Sequence, residues 1–187
     1  MNWNAVRNLY TEHYRRAGDL PGYRREYVLP VVRYISTTAP HSHIAYTDAL
    51  PGSIEDTVER ETIYFGLMAH TLTWQVYDYD GATDVQRTLL AHGFEEAGRH
   101  VFMVRAREGA DEEGGTAIEV ARLMATVLQA EGGETFGNTI FPLRYSEHFT
   151  CVYADALQRH AFEGHGFEHV ATLWEARYLP QLKADLA

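Results

Sequence analysis

The chain has 187 residues, 45% of them hydrophobic and 12% aromatic, a composition typical of folded globular proteins and unlike that of disordered ones. Its formal net charge of −10 argues against nucleic-acid binding, which depends on Lys and Arg side chains that neutralise phosphates. No apolar run approaches the roughly 20 residues that span a bilayer, so we expect a cytoplasmic protein with no membrane partner.

Hydrophobic periodicity and turn residues divide the first 106 residues into alternating helices and strands. Pro30 within the first strand-like run indicates an edge strand or a bulge. Ser53 with Asp56 has the spacing of a capping box. The predicted elements are a helix over 2–17, strands over 23–36 and 43–47, a helix over 54–69, a strand over 72–79, a helix over 83–92 and a buried strand over 101–104.

A polar, acidic and glycine-rich segment over 107–115 is predicted to be a linker, after which the pattern resumes. The predicted elements beyond it are a helix from 116 to 132, a strand over 136–143, a helix from 146 to the second His-Gly-Phe at 165 and a strand over 170–178. Both halves therefore follow the order helix–strand–helix–strand. This order predicts an α/β fold with a mixed, twisted sheet flanked by helices.

The tetrapeptide His-Gly-Phe-Glu occurs twice, at 92–95 and 165–168, each time between a predicted helix and a predicted strand. Glycine adopts the left-handed conformation that caps a helix without the steric penalty of a Cβ atom. The repeat therefore predicts one supersecondary unit used twice. The two glycines are 166 − 93 = 73 residues apart, more than the typical period of a solenoid repeat.

A helix that ends in Gly-Phe before a strand is similar to the closing segment of the GNAT superfamily of acyl-CoA N-acyltransferases. Residues 161–167 (Ala-Phe-Glu-Gly-His-Gly-Phe) resemble its motif, with Phe162 where the family commonly has a tyrosine, and Leu89 occupies that place in the first copy. The first part of the chain resembles, more particularly, the degenerate N-terminal part of two-domain GNAT proteins. The segments with this second resemblance are 21–25, 31–33, 74–80 and 89–94.

The resemblance implies two GNAT-like half-units, one over 1–106 and a shorter one over 116–187, joined by the linker at 107–115. It also implies an N-acetyltransferase, which would move an acetyl group from acetyl-CoA to an amine of a small molecule or protein. GNAT enzymes hold the CoA pyrophosphate on backbone amides at the N-terminus of a helix. The nearest sequences, 129–134 and 15–20, lack the last residue of that loop and lie at predicted helix ends, where the dipole repels phosphate.

The residue four places before the glycine of each Gly-Phe step departs from the family as well. In many GNAT enzymes a tyrosine there protonates the departing thiolate, and neither Leu89 nor Phe162 has a proton to donate. These departures leave open a second interpretation, a non-catalytic binding or assembly module that binds no CoA. Such a module could form homo-oligomers through exposed strand edges.

Polar side chains that follow predicted strands are the candidate site residues, because α/β sheets usually bind ligands at the carboxyl ends of their strands. Asp80, Glu147 and His148 are candidates for the base that would deprotonate an amine. Tyr77 and Tyr145 are the corresponding candidates for contact with the cofactor. The alternative is that these side chains only cap helices and line loops.

Charge is unevenly distributed along the chain. Residues 1–33 contain six arginines and three acidic residues, a balance of 6 − 3 = +3, so the remainder carries −10 − 3 = −13. This basic segment could receive an anionic ligand or dock on the acidic remainder, and we favour docking.

Ten histidines suggest a metal site, but the spacing of His160, His165 and His169 does not place three imidazoles on one helical face, so no metal site is predicted.

Overall fold

The computed structural model describes residues 3–48, 53–80, 83–106 and 149–180. In chain order, its elements are α1 (Trp3–Tyr10), which continues as a π-helical turn (Thr11–Arg16), β1 (Tyr23–Val28), β2 (Val31–Ser36), β3 (His41–Thr47), α2 (Ile54–Leu67), β4 (Thr71–Tyr77), α3 (Thr83–Ala91), β5 (Glu95–Ala106), β6 (Phe149–Asp155), a 3₁₀ turn (Ala156–Gln158), α4 (Arg159–Gly164) and β7 (Glu168–Tyr178).

The seven strands form one mixed sheet in the order β1-β2-β3-β4-β7-β5-β6. β3 and β4 are parallel, and α2 makes the crossover between them. The pairs β1–β2, β2–β3, β4–β7 and β5–β6 are antiparallel. The predicted α/β class, with a mixed sheet flanked by helices, is therefore confirmed.

The described residues divide into two compact units. The first contains the residues up to Gly98 and those from Leu173 onwards, and the second lies within Arg99–Thr172. The predicted linker at 107–115 and most of the boundary region around it lie outside the described residues. The predicted division into 1–106 and 116–187 therefore stays a prediction.

In the first unit, β2 is buried at all six positions because both faces of the sheet are covered there. Successive side chains of a strand point to opposite faces. Val31 and Ile35 accordingly pack into the larger apolar cluster, which also contains Val58 and Phe65 of α2. Their neighbours Val32 and Tyr34 form a second cluster with Ala45, against which Leu20, Tyr23 and Tyr46 pack.

The second unit has a smaller apolar core. It combines side chains from β5, β6, α4 and the residue just before β7, namely Val101, Met103, Ala154, Phe162 and Phe167. All five are at most 3% exposed. The predicted buried strand at 101–104 is therefore confirmed, and it belongs to the longer strand β5.

The helix predicted from residue 146 to the second His-Gly-Phe is wrong for residues 149–158, and α4 confirms its last part. Phe149–Asp155 is the strand β6, and a 3₁₀ turn at Ala156–Gln158 then leads into the short helix α4. The apolar spacing in this stretch fits a helix, but β6 is rich in residues that favour strands and pairs with β5 along its whole length. Pairing in the sheet has overridden the helical pattern.

Two local predictions are confirmed only in part. Pro30 indicated an edge strand or a bulge, and β1 is indeed an edge strand of the described sheet, but the proline itself lies in the turn that joins β1 to β2, so the run 23–36 is a hairpin. The register shift of β2 is at Val32/Arg33. Ser53 precedes α2, but its side chain makes no capping hydrogen bond. Instead, the Thr57 hydroxyl donates a hydrogen bond of 2.8 Å to the Ser53 carbonyl oxygen.

Candidate functional site

Both Gly-Phe steps end a helix in the same way. In the first copy, the Leu89 carbonyl oxygen accepts from the amide of Phe94, and the Leu90 carbonyl accepts from Gly93. In the second, the carbonyls of Phe162 and Glu163 accept from the amides of Phe167 and Gly166, with the same spacing in the chain. This pair of bonds defines a Schellman motif. Gly93 and Gly166 have φ values of 82° and 79°, so the predicted glycine caps are confirmed in both copies.

Each cap is closed by an apolar contact across the glycine. Leu89 and Phe94 belong to one buried cluster of the first unit, and Phe162 packs edge-on against Phe167 in the second with ring centroids 5.6 Å apart. Leu89 and Phe162 are both 0% exposed. A Schellman motif commonly has such a contact between the residue after its glycine and a residue about four places before the glycine. Leu89 and Phe162 therefore hold the same apolar packing position in the two copies.

A buried ion pair joins the N-terminal helical segment to the end of β4. Arg15 and Asp80 are 2% and 6% exposed, and their side chains form a bidentate pair in which Arg15 Nη2 donates to Asp80 Oδ2 at 2.7 Å. Arg15 Nε also donates to the Ala45 carbonyl oxygen at 2.9 Å. Burial disfavours the guanidinium charge, but hydrogen bonding and attraction from Asp80 outweigh it and raise the pKa of Arg15 above its usual value.

Tyrosine rings surround this ion pair. The guanidinium carbon of Arg15 lies 4.1 Å from the ring centroid of Tyr77 and 5.1 Å from that of Tyr46, distances typical of cation–π contacts. The hydroxyls of Tyr10 and Tyr77 are hydrogen-bonded to each other at 2.9 Å. Burial raises the pKa of Tyr10 well above its usual value, and proximity to Tyr77 adds to the shift. The Tyr10 hydroxyl therefore remains protonated at neutral pH.

Two of the five candidate site residues, Tyr77 and Asp80, are thus brought together, and both are tied into structural contacts. Besides the pair with Arg15, the Asp80 carboxylate accepts from the Tyr77 amide at 2.9 Å, which closes the turn after β4. A proton taken up by this carboxylate would neutralise the charge that pairs with the buried Arg15. Tyr145, Glu147 and His148 lie outside the described residues.

A second buried ion pair was not anticipated from the sequence. Glu61 of α2 is 0% exposed, and its carboxylate accepts from Nε and Nη2 of Arg33, the latter at 2.9 Å. Arg60 donates to the same carboxylate at 2.9 Å, and the Arg33 guanidinium lies 4.0 Å from the ring centroid of Tyr64. The sequence does contain one indication of this pair. Arg33 interrupts a predicted apolar strand, and a charge buried there requires a partner.

Arg15 and Arg33 both come from the basic leading segment, and both pair with acidic residues from later in the chain. The preferred interpretation of that segment, docking on the acidic remainder, is therefore confirmed for these two arginines.

In the described part of the chain, no three His, Cys, Asp or Glu side chains converge into a group able to hold a metal ion. Among the described residues, no helix has the length and apolar character needed to cross a membrane.

Comparisons with protein-family models, with curated proteins and with solved structures find no match to this chain.

Proposed function

We propose that this chain is a GNAT-like protein of the N-acetyltransferase family, built on two Gly-Phe half-units. The observation that supports the proposal most directly is the repeated Schellman motif, with the same hydrogen bonds, the same apolar closure and a strand directly after each copy. Acetyl-CoA would be the donor, and an amine of a small molecule or a protein would be the acceptor.

In the proposed reaction, the amine nitrogen attacks the thioester carbonyl carbon, an N–C bond forms and the C–S bond breaks. The amine must lose a proton to a base, and the departing thiolate takes up a proton. Because Asp80 is held by Arg15 and by the Tyr77 amide, the base in this proposal is Glu147 or His148. Tyr145 is the residue that would contact the cofactor.

A specific observation favours a second candidate function, a non-catalytic GNAT-like module that binds no CoA. Leu89 and Phe162 occupy the position of the family's acid, and both are apolar and fully buried. The one described candidate for the base is also engaged in an ion pair. A chain that has lost its catalytic groups but kept its core would look the same in these residues.

Ligand-dependent stabilisation distinguishes the two functions. A protein that binds CoA in its folded state gains about 2.7 kcal/mol at a ligand concentration 100 times the Kd, and its Tm rises with concentration. We expect acetyl-CoA and CoA to raise the Tm in this manner, and the double variant Glu147→Gln/His148→Gln to acetylate an amine acceptor more slowly. No change of Tm with either ligand at millimolar concentration would leave only the non-catalytic module.

Phe162→Tyr tests whether the second Gly-Phe step faces a thioester. Phe162 is fully buried against Phe167, so the new hydroxyl would need a partner in an apolar core, and we expect a loss of about 1–2 kcal/mol in stability. Phe162→Leu is the matched control, since it changes packing without adding a polar group. A higher acetylation rate in Phe162→Tyr, absent in Phe162→Leu, would place this residue at the reacting thioester and contradict the purely structural role.

A further inference from the structure

Strand β1 forms one edge of the described sheet, and every second residue of it directs its backbone groups away from the sheet. Among the strands that the structure describes, β1 pairs only with β2. The Thr37 amide donates to the Gly22 carbonyl oxygen at 2.9 Å, in the register of the β1–β2 ladder. Hydrogen-bonded positions alternate along an antiparallel pair. The residues of β1 whose backbone groups point outward are therefore Tyr23, Arg25 and Tyr27.

The open edge of β1 offers both donors and acceptors for another strand. The Tyr23 amide is already bonded, since it donates to the Leu20 carbonyl oxygen at 3.0 Å. Within the described part of the chain, the amides of Arg25 and Tyr27 have no backbone acceptor, and both residues are exposed. An edge of this kind pairs with a further strand unless charge or shape prevents it. The side chains of β1 therefore determine which strand it accepts.

Opposite charges lie two residues apart on one face of β1. Glu26 contacts Arg33, which pairs with Glu61 of α2, so Glu26 lies on the face of the sheet where α2 packs. Arg24 lies on the same face, because side chains alternate along a strand, and its Nη2 is 2.9 Å from Glu26 Oε1. A strand that fits this face must offer an acidic residue opposite Arg24 and a basic one opposite Glu26. A second β1, antiparallel and centred on Arg25, does both.

We propose that β1 pairs with β1 of a second copy of this chain, antiparallel and centred on Arg25, so that the dimer has one continuous sheet. A twofold axis perpendicular to the sheet keeps every side chain on its own face, so Arg24 of each copy faces Glu26 of the other. The Arg25 amides donate to the Arg25 carbonyls across the axis, and the Tyr27 amides donate to the Tyr23 carbonyls. These bonds use every outward amide that is not already bonded.

The opposite face of β1 is consistent with the same register. Tyr27 is 52% exposed, and in the dimer it would lie directly opposite Tyr23 of the second copy. Arg25 would face its own counterpart, and its Nη1 lies 3.5 Å from the Gly18 carbonyl oxygen of its own chain. The proposal holds whether or not the chain binds CoA.

The neighbouring registers fit less well. A shift of two residues in one direction places Glu26 opposite Glu26 of the second copy, and a shift in the other direction places Arg24 opposite Arg24. Neither shift brings opposite charges together, and like charges directly opposite each other destabilise a strand pair. Charge therefore selects the register centred on Arg25.

Sedimentation equilibrium tests the association. The chain has a mass of 21.3 kDa, and we expect the average mass to rise towards twice that value as the concentration increases. One pair of edge strands buries less surface than a standard interface of about 1,600 Å², so dilution should dissociate the dimer. A wild-type protein that keeps a mass of 21.3 kDa at millimolar concentration would overturn the proposal.

A matched pair of variants at Arg25 tests the backbone bonds. Arg25→Pro removes the amide that donates across the axis and breaks no bond to β2, so it should shift the equilibrium to monomer. Arg25→Thr keeps the amide, favours strands and removes the like charges, so it should dimerise more tightly than the wild type. Far-UV circular dichroism checks that both variants keep the sheet. Dimerisation of Arg25→Pro as strong as that of the wild type would contradict edge pairing through β1.

Disulfide cross-linking tests the register. Arg24→Cys and Glu26→Cys are prepared separately in a Cys151→Ala background, which lacks the native cysteine, and are then mixed. Facing Cα atoms at a non-hydrogen-bonded position lie about 4.5 Å apart, within the range of a disulfide, so mild oxidation should cross-link the mixture into a heterodimer. Neither variant should cross-link alone. Cross-linking of either variant by itself, or none in the mixture, would overturn the proposed register.

Discussion

Asp78 and Asp80 stand two residues apart at the turn after β4, but only Asp80 is paired with a buried arginine. Asp80→Asn keeps the shape of the side chain and leaves the Arg15 charge without its counter-ion. Removal of one partner from a buried ion pair typically costs about 3–5 kcal/mol. We expect Asp80→Asn to lower the free energy of unfolding by about 3 kcal/mol in urea titrations, and Asp78→Asn, an exposed change, by less than about 0.5 kcal/mol.

This comparison also bears on chemistry at the single-residue scale. If the Asp80 carboxylate serves mainly as a base, its conversion to the amide would lower the acetylation rate and change the stability little. If it serves mainly to neutralise Arg15, the same conversion would lower the stability and change the acetylation rate little. Equal stability of the Asp78→Asn and Asp80→Asn proteins would contradict the structural role and return Asp80 to the list of candidate bases.

The pair Arg33–Glu61 offers a second residue-scale prediction. Glu61→Leu leaves Arg33, which is 5% exposed, with only the longer 3.4 Å contact to Glu26, so we expect a loss of about 3 kcal/mol. The double variant Arg33→Met/Glu61→Leu replaces both charges by apolar groups and should recover most of that loss. A double-mutant cycle in urea measures the coupling. If the stability loss of the double variant equals the sum of the losses of Arg33→Met and Glu61→Leu, the two charges are not coupled and the interpretation as a buried ion pair is wrong.

At the scale of elements, the two caps should respond alike to loss of their glycines. Gly93 and Gly166 have positive φ values, and a Cβ atom in that conformation typically costs about 1 kcal/mol. We therefore expect Gly93→Ala and Gly166→Ala to be destabilised by similar amounts in thermal or urea unfolding. Gly66, in the last turn of α2, has open space around it and no positive φ, so Gly66→Ala should be neutral or stabilising. Equal behaviour of all three variants would contradict the cap geometry.

Sequence patterns predict some elements of this chain correctly and others wrongly. The helix predicted over 54–69 is α2 at Ile54–Leu67, and the strand predicted over 170–178 is β7 at Glu168–Tyr178, because both patterns are long and uninterrupted. The failure at 149–158 has the opposite cause. Apolar residues there are spaced as in a helix, and only pairing with β5, a contact distant in sequence, selects the strand.

The candidate site was less predictable than the fold, for a related reason. Their position after a strand made Asp80 and Tyr77 candidates, but no nearby residue in the sequence indicates that Arg15, 65 residues earlier, pairs with the Asp80 carboxylate. The same holds for Arg33 and Glu61, which only the packing of α2 on β2 brings together. Long-range ion pairs leave no periodic signal, so a charged side chain in a predicted core is the one warning that the sequence provides.

For the whole molecule, two electrostatic effects act in opposite directions as the pH falls from 7 towards the isoelectric point of about 5.4. The net charge of −10 approaches zero, which relieves self-repulsion. This repulsion is spread over the surface and screened by salt, with a Debye length of about 8 Å at about 0.15 M ionic strength. The folded protein gains little from its relief under those conditions.

His43 acts in the other direction and should dominate. Burial lowers its folded pKa to about 4, below the ordinary value, so the unfolded chain binds more protons between about pH 6.5 and 4, and stability falls with pH. From pH 7 to 5.4 this one group should remove about 1.4 kcal/mol. Urea titrations in about 0.15 M salt should show lower stability at pH 5.4 than at pH 7, with a smaller difference in His43→Phe. Greater wild-type stability at pH 5.4 would mean that relief of self-repulsion outweighs protonation of the His43 imidazole.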